Sequence, residues 1–122
     1  MKALLIDDEA HRAQSIANVL PQGLVCIWAN TASFGEEHLR KERFDLLLLD
    51  HDLYGIDGRT GQDMARIVAE TQVPENCRVF IHSQNPTGAQ AMREILSAFK
   101  VTVSAWDNAK CMAAGLPEWL KG

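Results

Sequence analysis

The sequence predicts a doubly wound α/β sandwich: one parallel sheet of five strands in the order 2-1-3-4-5, with helices on both faces. Three observations lead there. Short apolar strand patterns alternate with helical ones five times along the chain. The run Leu46-Leu47-Leu48-Leu49 is apolar without alternation, as a central strand covered on both sides should be. A chain of 122 residues, 47% of them hydrophobic, suits one domain (1–122) with a sizeable core.

Lys2–Ile6 supplies the first strand. Ala13, Ile16, Ala17 and Leu20 then recur at the 3.6-residue period, predicting a helix over 10–20 that Pro21-Gln22-Gly23 ends. Asp8 or Glu9 could cap it. Leu24–Trp28 reads as the second strand, and Ser33-Phe34-Gly35-Glu36 as a capping box opening a helix to about Arg43. The third strand covers Phe44–Asp50. A polar loop, Asp52 to Arg59, leads into Thr60-Gly61-Gln62-Asp63, a cap for a helix reaching Thr71. The fourth strand is Arg78–His82. Asn85-Pro86 then sets an N-cap residue before proline at the first helical position, and this helix runs to about Phe99. Val101–Ser104 closes the sheet, and Asp107 can cap a last helix ending near Ala114-Gly115. Such a chain fits the flavodoxin-like sandwich, whose ligands bind beyond the carboxyl ends of the strands, at the switch point between strands one and three.

Composition excludes several function classes. Twelve Lys and Arg against sixteen Asp and Glu give a net charge of −4, which argues against duplex nucleic acid as a partner. No apolar run approaches the ~18–20 residues of a membrane span. Met1-Lys2 leads straight into the first strand, so no signal peptide is expected. Cys26, Cys77 and Cys111 are odd in number and lack metal-site spacing, as expected of reduced thiols in a cytoplasmic protein.

The strand ends carry the chemistry. Strand one ends in Asp7-Asp8-Glu9, strand three in Asp50-His51-Asp52, and strand four in His82-Ser83-Gln84-Asn85. Strands one and three are neighbours in the expected order, so Asp7, Asp8 and Asp50 should lie together. Like-charged carboxylates in one cleft repel, and a hard cation with oxygen ligands relieves them. Mg²⁺ suits the site, because it binds few carboxylates and keeps several waters and phosphate oxygens.

With these motifs in place, the chain resembles bacterial response-regulator receiver domains over nearly its whole length. The resemblance implies that Asp7 and Asp8 are metal-binding acids and that Asp50 corresponds to the phosphoacceptor. Asp52 falls where a backbone carbonyl ligates the metal, Asp57-Gly58 matches the loop after the acceptor, and Ser83 matches the residue that contacts the phosphoryl group. It breaks at strand five, where Val101-Thr102-Val103-Ser104-Ala105-Trp106 offers no lysine for the phosphoryl group.

His51 and His82 are additions to that pattern. If Asp50 and Ser83 both face the site, the two histidines have the opposite parity and share a side. Two imidazoles near a phosphate are equipment for general acid–base catalysis. His51-Asp52-Leu53 and His82-Ser83-Gln84-Asn85-Pro86 resemble the variant receivers described as cyclic-phosphate processing. The leading expectation is an atypical stand-alone receiver-like domain with an Mg²⁺ and phosphate site that processes cyclic phosphate esters with paired histidines: His51, His82 and Asp50 catalytic, Ser83 and Asn85 on the phosphate, Asp7, Asp8, Asp50 and Asp52 on the metal. One alternative is a phosphoaccepting regulator served by a histidine kinase. Another is a pseudo-receiver that binds a protein partner.

Overall fold

All four leucines of Leu46–Leu49 are buried, and the sheet is built around them. Removing each such side chain from water contributes about 2 kcal/mol. The computed structural model describes residues 1–51, 53, 58–82 and 85–104. Within them lie β1 (Lys2–Ile6), α1 (Ala10–Val19), β2 (Val25–Ala29), α2 (Ala32–Lys41), β3 (Leu46–Leu49), α3 (Gly61–Thr71), β4 (Arg78–His82), α4 (Pro86–Ile95) and β5 (Lys100–Ser104). The strands are all parallel, in the order β2-β1-β3-β4-β5, as the sequence predicts. Asp52, Asp57, Ser83 and the helix expected from Asp107 lie outside the described residues.

Strand alternation divides the core in two. Leu4, Ile6, Leu47, Leu49, Val79 and Ile81 pack on the side of α2, α3 and α4. Leu5, Leu46, Leu48 and Phe80 pack on the other side, against Ala13 and Ile16 of α1. A residue's parity in its strand therefore decides which helices it meets, and this holds for the polar residues just beyond the strand ends as well.

Element boundaries depart from the sequence reading in small ways. β2 is displaced by one residue, β3 is confined to Leu46–Leu49, β5 starts one residue earlier at Lys100, and α4 stops at Ile95 rather than near Phe99. The cap of α2 is Thr31, not Ser33: the Thr31 hydroxyl accepts the Phe34 N–H at 3.1 Å. Glu36, read as the acid of that capping box, instead accepts from Arg40 and Arg59 at 2.8 Å each. At the amino end of the sheet, buried Gln72 closes α3. Its Oε1 accepts the Phe44 N–H at 2.9 Å, and its Nε2 donates to the carbonyls of Leu39 and Glu42 at 3.1 and 3.0 Å.

Cys77 is buried between α3 and β4, and burial together with the nearby Asp45 carboxylate pushes its thiol up to about 12. The thiolate is the reactive form. Cys77 should therefore stay unlabelled by iodoacetamide in the native protein at mildly alkaline pH and react fully in urea, as read by peptide mass spectrometry.

Candidate functional site

The parallel ladders run past the strand ends. Asp7 N–H donates to the Ala29 carbonyl, and Asp50 N–H to the Ile6 carbonyl, both at 3.2 Å. The pairs Ile6↔Leu49 and Leu49↔Ile81 bring the next residues, Asp7, Asp50 and His82, level with one another. All three have the parity of the α1 side, and all are buried.

Arg12, in the first turn of α1, reaches across this row. Its Nε donates to Asp7 Oδ2 and its Nη2 to Asp7 Oδ1, both at 2.7 Å, forming a two-pronged fork. The same Nη2 donates to Asp50 Oδ2 at 2.8 Å and lies 3.6 Å from Asp8 Oδ1. Such charge-assisted forks are among the strongest hydrogen bonds in proteins. Burial alone would raise the Asp7 carboxyl, but hydrogen bonds from His82, Arg12 and the Glu9 N–H outweigh it and hold Asp7 below the usual carboxylate range. The same fork raises the Arg12 guanidinium further above its already high value.

His82 Nε2 lies 3.0 Å from Asp7 Oδ2. Its Nδ1 is buried and has no hydrogen-bond partner among the described residues. Trp28 also reaches Asp7, its indole N–H donating to the main-chain carbonyl at 2.8 Å. The Glu9 carboxylate accepts the N–H groups of His11 and Arg12, so the side chain caps α1 while the main-chain N–H serves Asp7. Asp7, Asp8 and Asp50 each offer an oxygen within 4.8 Å of the others, and in spacing and chemistry the trio could hold a metal ion.

His51 lies elsewhere. It follows Asp50, so it has the opposite parity and faces α3 and α4, half-buried. Its Nε2 is 3.3 Å from the Gln62 amide nitrogen and its Nδ1 3.4 Å from that of Asn85. Asn85 is also the N-cap of α4, accepting the Gly88 N–H at 2.9 Å, and the Gly61 N–H of α3 donates to the His51 carbonyl at 2.9 Å. The first turns of both helices thus close on this residue. Two glycines make the approach possible. A Cβ on Gly88 would stand 2.5 Å from the imidazole, and one on Gly61 would collide with the Asp50 carbonyl and the His51 Cα.

The expectation that His51 and His82 share a side is therefore corrected. It assumed that Asp50 and Ser83 face the same way, but the register sets Asp50 level with His82. The imidazoles project from opposite faces of the sheet, one onto Asp7 and one between α3 and α4. Sequence reasoning also missed Arg12. A signal was available: a cation in the first turn of a helix opposes the macrodipole. Such a placement points to nearby carboxylates that offset the cost.

The model of the cyclic-phosphate processing receiver domain family matches residues 2–98. This chain belongs to that family. No curated protein matches it. Among solved structures, the chain is similar to a Burkholderia pseudomallei response regulator determined with a phosphorylated aspartic acid, a calcium ion and citrate. The TM-score is 0.74 at 17% identity, over 96% of this chain and 66% of that one. A CheY-like receiver domain protein from Methanospirillum hungatei superposes with TM-score 0.74 at 16% identity, covering 98% and 92%. The N-terminal domain of a response regulator/sensory box/GGDEF protein from Carboxydothermus hydrogenoformans gives 0.70 at 19%, covering 93% and 89%. At these identities the likeness shows the fold alone: the cyclic-phosphate processing receiver has the receiver architecture. Among its described residues no helix is long and apolar enough to cross a membrane.

Two measurements probe the site of this receiver. Gly88→Ala should push the His51 ring from its seat and cost about 1–3 kcal/mol in urea unfolding, with the His51 ring protons shifting in NMR. Asp7 titrates lower folded than unfolded, so its stabilisation is full above the unfolded value near 3.8 and is lost as pH falls through the folded value. The stability difference between wild type and Asp7→Asn should accordingly be constant at neutral pH and narrow below about pH 4.

Proposed function

We propose that this domain hydrolyses phosphate esters of the cyclic class for which its family is named, at the carboxyl edge of its sheet. The observation that carries this reading is the seat of His51. It is a partly accessible imidazole beside Asp50, ringed by two amide side chains and the first turns of two helices. Helix N-termini attract anions. A phosphate there would meet N–H groups, the amides of Gln62 and Asn85, and a proton carrier.

In the reaction, the oxygen of water bonds to phosphorus, one ring P–O bond breaks, and a phosphomonoester results. His51 takes the proton from the attacking water and returns it to the departing oxygen, one imidazole serving in both directions. Asn85 orients the phosphate, and Ser83 is suited by its position in the sequence to help. His82, buried against Asp7, acts by positioning that carboxylate. A magnesium ion on Asp7, Asp8 and Asp50 would, when bound, neutralise charge on the ester. The chain's acidic balance favours such a small ligand over a nucleic-acid duplex, and we place the protein in the cytoplasm.

A second reading takes Asp50 as a phosphoacceptor served by a histidine kinase. It is favoured by Arg12 Nη2, 2.8 Å from Asp50 Oδ2, a cation beside the acceptor in a chain whose Val101-Thr102-Val103-Ser104-Ala105-Trp106 offers no lysine. Phosphorus NMR separates the two. With a 2′,3′-cyclic nucleotide, the cyclic signal should give way to a monoester signal, and His51→Ala should slow this about 10²–10⁴-fold. An unchanged cyclic signal with wild type, together with an acyl-phosphate signal after acetyl phosphate, would replace the first reading with the second.

A further inference from the structure

We infer that Arg12 is the resident cation of the acidic cluster, and that a divalent ion can bind Asp7, Asp8 and Asp50 only by displacing its guanidinium. Both oxygens of Asp7 and one of Asp50 already accept from Arg12 at 2.7 to 2.8 Å. Mg²⁺ needs carboxylate oxygens at about 2.0–2.1 Å and a near-octahedral shell of its own. An ion on Asp7 Oδ1 and Asp50 Oδ2 would share the two oxygens to which Nη2 donates. Ion and guanidinium would then be near neighbours of like charge, competing for the same lone pairs.

The local architecture commits Arg12 to this place. Its Cα sits in the first turn of α1, where the helix macrodipole disfavours a cation. Its N–H is bound by the Glu9 cap, which anchors the base of the side chain at 2.6 Å. The guanidinium stays charged at any working pH, so the counter-charge it brings is not lost by titration and goes only when the side chain moves. Only about a quarter of the Arg12 side chain is exposed, yet that exposed part gives it a path out toward solvent when an ion arrives. The cluster therefore carries its own counter-charge without a metal, and metal occupancy and guanidinium occupancy exclude each other. This holds whether or not the domain turns over an ester, and its test uses no ester, so the two readings can fail separately.

Calorimetric titration of Mg²⁺ into the full chain, as wild type and as Arg12→Gln, tests the exclusion. Arg12→Gln should bind about ten-fold more tightly or better, since a like charge has been removed from the ion's immediate surroundings. Equal affinities, including no binding by either protein, would overturn the inference. Loss of the guanidinium removes the cation that Asp7, Asp8 and Asp50 share, so folding is followed too. Folding of Arg12→Gln only with Mg²⁺ present supports the exclusion, and failure to fold even with the ion counts against it. In wild type, the Arg12 Nε–H resonance should lose its exchange protection in step with any Mg²⁺-induced shift of the Asp7 amide. A protected Nε–H beside a metal-shifted Asp7 would refute the exclusion outright.

Discussion

A carboxylate with no solvent exposure stands at the end of β1, and the carboxyl edge of this molecule is arranged around it. A buried ionised Asp7 is tolerable only with every lone pair occupied and a counter-charge in contact. Arg12, His82 and the Glu9 N–H meet that demand from three directions, and the Trp28 indole fixes the peptide from the fourth. The partners come from three stretches of chain, Glu9 and Arg12 at the start of α1, Trp28 in β2 and His82 in β4, so satisfying this one residue also ties α1, β2 and β4 to β1. The electrostatics that could serve function is the same electrostatics that assembles this edge.

Much of this was legible in the sequence, because its signals were periodic or local. The leucine run announced a strand covered on both faces, and Asn85-Pro86 and Thr60-x-x-Asp63 marked helix starts that the structure keeps. The proximity of Asp7, Asp8 and Asp50 followed from topology alone. What could not be read was lateral register. Whether His82 or Ser83 stands level with Asp50 depends on a one-residue choice between strands, and that choice assigns the histidines to opposite faces. The role of Arg12 was hidden for a related reason: nothing in a linear reading says which way a side chain on the first turn of a helix will lean.

The two faces now differ in chemical character. The α1 side is an ionic cluster in which buried Asp7 and Asp50 are held by Arg12 at 2.7 to 2.8 Å. On the α3 and α4 side, His51 meets neutral amides at longer distances, between helix starts brought near by glycines at 61 and 88. Charge-assisted contacts of the first kind hold shape, whereas contacts of the second kind can be exchanged for those of a ligand at small cost. Asp50 and His51, adjacent in sequence, are the seam between them.

The Gln72 amide lies at the other pole of the sheet, joining the ends of α2 and α3 to the approach of β3. It ties three segments together through main-chain atoms, so its grip does not depend on the identities of the residues it holds. Structural integrity at that pole is thereby uncoupled from chemical experiment at the opposite one. A lineage carrying this scaffold could lose a lysine, gain a histidine or trade an ion for a guanidinium at the carboxyl edge while the distal knot kept the sandwich closed.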